Sequence, residues 1–153
     1  MAILFADGTT QSSAAGGKIL QVKQTVVSSQ IEGTYTGGAQ VCASVDITPA
    51  SSSNKILVCV NSAGCGSRTA DTNWYLYMYR DSTFLMGVDT YVGDSYSGGN
   101  TSNPNAMYLD SPSTTSSITY KIEGTRQGGS GNCVYNHSNG NAKSSITVME
   151  VAA

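Results

Sequence analysis

Histidine occurs once in this chain of 153 residues, proline three times, and charged side chains make up only 12% of it. Each shortage excludes something. The four cysteines show no CxxC spacing and have one histidine for company, so the usual zinc patterns are missing and neither a metal nor another cofactor is expected. Eight Lys and Arg against ten Asp and Glu leave a net charge of −2, with no basic patch to hold nucleic acid. An average soluble domain carries roughly 25% charged residues; here hydroxyls and amides must keep the surface wet. No run approaches the roughly 20 apolar residues of a membrane helix. The start, MAILFADGTTQSSAAGGK, has neither the basic region nor the apolar stretch of a signal peptide. Cytoplasmic synthesis without membrane insertion is the expectation.

Helix signals are also scarce. No window combines apolar residues at three- and four-residue spacing with a capping residue, and abundant Ser, Thr, Gly and Asn weaken any helix. What is present instead is a series of short apolar or alternating runs: 18–27, 40–48, 55–61, 73–80, 83–89, 105–109, 117–124, 132–135 and 144–151. Turn-rich stretches such as TPASSSN, GDSYSGGNTSNP, DSPSTTS and HSNGNAK separate them. Short strands at this spacing without intervening helices predict an all-β fold, an antiparallel β-sandwich or jelly roll, with strand order left to decide between them. Residues 18–153 form its single domain. Residues 1–17 differ: an apolar plug, Ile3, Leu4 and Phe5, precedes a small-residue stretch ending in Gly16-Gly17. Two readings stay open for it, a loose tail and an N-terminal arm that docks the plug onto another protein.

One strand carries rings on both faces. In NWYLYMYRD, alternation puts Trp74, Leu76 and Met78 inward and Tyr75, Tyr77 and Tyr79 outward. A solvated sheet normally shows Thr, Lys or Glu there. Tyrosine suits a surface that becomes covered, since it offers contact area at low entropy cost and a hydroxyl that tolerates water. Contact with other copies of the chain, as around a threefold axis, is the expectation; the alternative is cover by a neighbouring loop or the N-terminal arm of the same chain. The competing use of such rings is stacking on sugars. Tyr91, Tyr96, Asn100, Asn103, Tyr135 and His137 sit near loops and are the candidate ligand residues, with a host glycan as the ligand. Asp89, Asp94, Asn100 and Asn103 could hold calcium but match no recognised loop pattern.

Catalysis finds little to stand on. His137 lies in a turn, YNHSNGN, and no GxSxG elbow accompanies it. Cys133 is four residues away, with no third orienting group in view. Of the acids, Glu123 and Glu150 alone fall on strands well enough to be held rigidly, and both are expected to face solvent. The chain therefore reads as non-enzymatic. Cys42 and Cys59 read as small buried hydrophobes within strands. Cys65 and Cys133, in AGCGS and GSGNCVY, are a candidate disulfide that would form only in an oxidising medium.

Five phrases taken in order carry a resemblance: GGKILQVKQT, VDITPASSSNKILVCVN, YMYRDSTFLMG, YLDSPSTTSSITYKIEG and SSITVMEV. Together, over residues 16–151, they resemble a module of structural proteins of tailed bacteriophages, particularly marine and cyanobacterial phages. The resemblance implies a virion structural protein without catalysis, exposed on the virion surface. Such modules occur in fibre-like proteins and, by architecture, in capsid decoration proteins. The absence of heptads or a stalk favours a trimeric decoration (cement) protein that clips onto the major capsid protein through its arm. The alternative is a short tail-fibre or receptor-binding protein attached to a tail protein by the same arm.

Overall fold

Every regular element among the described residues is a β-strand. The structure, a computed structural model, describes residues 18–35, 38–67, 72–92, 101–137 and 143–153, with the backbone alone at 3–4, 10–11, 89–92 and 101. Val, Ile, Thr and Tyr recur through these segments and suit a pleated, half-buried surface.

Near the start, β1 (Ile3–Leu4) and β2 (Thr10–Gln11) pair only with each other, Ile3 opposite Gln11 and Leu4 opposite Thr10. Eight longer strands follow: β3 (Ile19–Val27), β5 (Gln40–Ile47), β6 (Lys55–Asn61), β8 (Asn73–Arg80), β9 (Thr83–Val92), β11 (Asn105–Asp110), β12 (Ile118–Gly128) and β14 (Ser144–Val151). They form two four-stranded sheets, ordered β11-β6-β14-β3 and β5-β12-β8-β9, with every pairing antiparallel. In chain order, one sheet takes the first, eighth, third and sixth of these strands and the other the second, seventh, fourth and fifth. That is the connectivity of a jelly roll.

Four short strands make a third sheet, β10-β7-β13-β4, from β4 (Ile31–Gly33), β7 (Cys65–Ser67), β10 (Thr101–Ser102) and β13 (Cys133–Tyr135). Of these only β13 is anticipated by the sequence. Ile31–Gly33 and Cys65–Ser67 contain Gly33 and Gly66 and read as turns, yet β7 is buried along its whole length. This small sheet is held to the sandwich by polar contacts. Tyr135 and Ser62 share a hydroxyl–hydroxyl bond of 3.2 Å, and the Ser144 hydroxyl donates to Asn136 Oδ1 at 3.1 Å while accepting from the Ala63 N–H at 2.9 Å.

The core lies between the two large sheets, where Ile56, Val58, Trp74, Leu76, Met78, Ile122, Ile146 and Val148 are wholly buried. Trp74 meets Tyr35 edge-on at 5.3 Å and covers Gly124. A Cβ at Gly124 would fall 2.1 Å from Trp74 Cζ2, so only glycine leaves room for the indole. Among the described residues, Trp74 Nε1 has no hydrogen-bond partner. Such an orphan donor costs about 1–3 kcal/mol, a loss the buried ring area more than offsets.

One end of the sandwich is closed by carboxylates, contrary to the expectation that Glu150 faces solvent. Register places Gln21, Glu150, Ile56 and Asp110 level with one another across β3, β14, β6 and β11. Glu150 is fully buried, and accepts from Asn54 Nδ2 (2.6 Å), the Ala50 N–H (2.7 Å) and Gln21 Nε2 (2.7 Å). Burial alone would raise its pKa, but these donors, with the Ser51 N–H, outweigh that and hold it below its ordinary value. Asp110 reaches across to the other sheet, accepting from Tyr120 Oη at 2.6 Å and Arg80 Nη1 at 2.7 Å. The two carboxylates thus tie down the 48–54 loop and join the sheets.

Candidate interaction surfaces

Strand β8 lies inside its sheet, between β12 and β9, and its alternation is as the sequence implies: Trp74, Leu76 and Met78 inward, Tyr75, Tyr77 and Tyr79 outward. The tyrosines are half-buried because they cover one another. Tyr75 and Tyr77 stack with centroids 6.1 Å apart, and Phe84 of β9 sits edge-on to both Tyr77 and Tyr79 at 5.8 Å. Gly87 is level with Tyr77 in β9. From β12, Lys121 Nζ lies 5.7 Å from the Tyr79 ring centroid and pairs with Glu123 at 2.7 Å. Glu123 is therefore on the outer face, as expected. Burial, then the neighbouring Tyr75 and Tyr79, pushes the Tyr77 hydroxyl above its ordinary value. Phe84 remains 55% exposed.

The outer face of the other large sheet carries a second apolar surface that sequence reasoning missed. Outward residues fall into level rows: Val22, Met149, Leu57 and Leu109; then Gln24, Thr147, Cys59 and Met107; then Val26, Ser145, Asn61 and Asn105. Met107 is 68% exposed, Val22 54% and Leu109 50%. Cys59, read as buried, points outward and is half-buried; its thiol pKa is raised by partial burial. A groove of about 500 Å³ runs beside it, with Asn61, Asn105, Met107, Ser145 and Thr147 along its walls. The signal was legible in ILVCV within β6, an unbroken apolar run whose outward positions, Leu57 and Cys59, are as apolar as its inward ones.

The candidate ligand residues are only partly brought together. Asn103 Oδ1 accepts from the Gly64 N–H at 2.7 Å, and the His137 N–H donates to Gly64 O at 3.0 Å. Gly64 has a φ of +59°, and a Cβ there would lie 2.7 Å from His137 Cβ. Asn103 and His137 therefore converge on one glycine, but through contacts that fix the backbone. Tyr135 does not belong with them. It is wholly buried at the end of β13, and burial raises its hydroxyl to about 12. Tyr96, Asn100 and Asp94 lie outside the described residues, as do the side chains of Tyr91 and Asp89. So do Phe5 and the side chains of Ile3 and Leu4.

Neither Cys65 nor Cys133 is in a disulfide, and both are fully buried. Their register explains why they are not bridged. Cys133 is level with Ser67 and Val134 with Gly66, so Cys65 is diagonal to Cys133. Diagonal neighbours are about 7–8 Å apart, beyond the span of an unstrained disulfide. Burial pushes the Cys133 thiol up to about 11, with Arg126 acting in the opposite sense. Among the described residues no group of three or more His, Cys, Asp or Glu is placed to hold a metal, and no helix is long and apolar enough to cross a membrane.

No family model matches the chain, and no curated protein sequence does. Solved structures do. VP2 of infectious bursal disease virus, in a subviral particle, aligns over 100% of this chain and 42% of its own, with a TM-score of 0.50 at 11% identity. T=1 particles derived from the same virus give a TM-score of 0.49 at 14% identity, over 100% of this chain and 41% of theirs. The chain spans about two fifths of the length of these proteins. At such identity the likeness is one of fold: a β-sandwich of the kind used in a viral particle protein.

Proposed function

We propose that this chain is a non-enzymatic virion structural protein, of the tailed-phage type its sequence resembles, and that it decorates a capsid as a trimer. The observation that carries the reading is a jelly roll with apolar outer faces on both large sheets and very little charge. Water alone is a poor neighbour for such faces; other subunits are a good one. VP2, whose fold it resembles, is a particle-forming protein. In this reading Tyr75, Tyr77 and Tyr79 meet sister copies around a threefold axis. The Ile3–Phe5 segment docks on the major capsid protein.

The mechanism is mechanical. Copies that bridge neighbouring capsid subunits add contact area that must be lost before the shell opens. Many modest contacts acting together exceed any single one by avidity. Weak surface charge makes such binding nearly indifferent to salt.

The test is to mix the purified protein with particles lacking it and to image them. Density at capsid threefold positions is the expected outcome, and removal of residues 1–15 abolishes it. Density at the tail tip alone sinks the decoration reading and turns the Asn103–His137 end into a receptor-binding surface, to be screened against glycans.

A further inference from the structure

The tyrosine and arm contacts proposed above leave the outer face of the β11-β6-β14-β3 sheet uncovered, and its chemistry is selective about what can cover it. Counting outward positions along the four strands, Lys55 at one end is the sole charged side chain; no carboxylate or cation lies in the three rows beyond it. When two copies of one surface meet, every charge risks facing its like. This face is spared that cost. The face carrying Tyr77, with Lys121 and Glu123 upon it, is not.

Its relief is also self-complementary. Toward the Asn61–Asn105 end lies the groove beside Cys59 and Met107. Toward the other end lies the aliphatic row of Val22, Met149, Leu57 and Leu109, whose two flanking members are half exposed. A twofold axis lying in the contact plane and running across the strands exchanges those ends. It sets the aliphatic row of each copy into the groove of the other, the reciprocal pattern of an isologous contact. Four strands about 4.8 Å apart and some seven residues long cover roughly 450 Å² per copy. Both copies together approach the ~1,000 Å² at which specific interfaces begin.

We infer that this face binds a second copy of the chain, sheet against sheet, in a twofold contact centred on Leu57, Cys59, Met107 and Leu109. The area makes it a weak contact that forms with rising concentration. Combined with a separate contact through the tyrosines, it links assemblies to one another.

The test is sedimentation of the full chain over a concentration series, with alkylation of the Cys59 thiol followed in parallel. Cys42, Cys65 and Cys133 are buried, so Cys59 reports on this face. Wild-type mass is expected to rise with concentration as Cys59 becomes protected. Leu109→Lys is expected to halve the limiting mass and to restore alkylation. Should Leu109→Lys fail to fold by circular dichroism, Met107→Lys gives the same readout from a more exposed position. A wild-type mass that does not change with concentration overturns the inference. So does an unchanged mass in a folded variant, or an assembly that halves only on Tyr77→Asp. A protein that misses particles altogether yet halves its mass on Leu109→Lys keeps this contact and loses only the shell reading.

Discussion

The two outer faces of the sandwich begin from the same strand alternation and end in different states. On the β5-β12-β8-β9 sheet the exposed rings satisfy one another: Tyr75 on Tyr77, Phe84 against Tyr77 and Tyr79, Lys121 over Tyr79 and bound to Glu123. On the β11-β6-β14-β3 sheet, Val22, Met107 and Leu109 stand half or more exposed. A cross-strand side-chain bond on that face joins Gln24 Nε2 to the Thr147 hydroxyl at 2.8 Å. The first surface is part of the monomer's own stability. The second contributes little to the monomer and is available to a partner. An exposed apolar face is thus better judged by what its residues already do for one another than by their hydropathy.

The inner supports of the two sheets differ in the same way, and breaking them gives the largest effects. The tyrosine strand is seated by apolar packing, through Trp74 on Gly124. Gly124→Ala forces a methyl into the indole at 2.1 Å and is expected to cost about 3 kcal/mol, at the upper end for overpacked cores. Urea denaturation measures it. A cost below about 1 kcal/mol would mean that Trp74 is free to move and that the tyrosine face is less rigidly carried than described.

The aliphatic sheet is seated at one end by polar bonding, through Glu150. Glu150→Ala leaves Asn54 Nδ2 and the Ala50 N–H without their acceptor and Gln21 Nε2 with Thr48 O alone, an expected loss of about 2–3 kcal/mol. Its pH dependence has a definite sign. The folded pKa lies below the ordinary 4.5, so the carboxylate's stabilisation is whole above that value and disappears as pH falls through the folded one. Glu150→Gln should flatten the acid limb of a stability–pH curve below about pH 4.5. An unchanged limb would assign acid sensitivity to other groups.

Tyr77→Asp and Leu109→Lys compare the faces directly in dilute monomer. The first removes a stack and an edge-on contact, for an expected loss of about 1 kcal/mol. The second replaces a half-exposed leucine and should stay within about 0.5 kcal/mol of wild type. Equal losses would erase the distinction between an integrated face and an available one.

Much of this was legible in the sequence. The spans 55–61, 73–80 and 144–151 coincide with β6, β8 and β14, because alternation and flanking turns mark them at both ends. The strands β4 and β7 escaped because Gly33 and Gly66 give a turn signal, whereas pairing with β13 makes them strands. Glu150 could have been found: it continues the inward phase of Ile146 and Val148, and only the habit of placing glutamate in solvent turned it outward. Asp110 continues Ala106 and Tyr108 in the same way. The partners that make such burial tolerable, Asn54 and Gln21, are 96 and 129 residues away in sequence from Glu150, and no local pattern reveals them.

The smallest effect separates a free tyrosine face from a covered one. In the monomer Lys121 makes a partly shielded ion pair and a cation–π contact, so Lys121→Ala should cost no more than about 0.5 kcal/mol. Within a trimer interface the same change would strand Glu123 away from water, where an unpaired charge costs about 2–5 kcal/mol. Stability of the dilute monomer and dissociation of the assembly should therefore respond unequally, the second much the more strongly. An equally small response in both would mean that water still reaches Glu123 in the assembly. The tyrosines would then lie outside its contact surface.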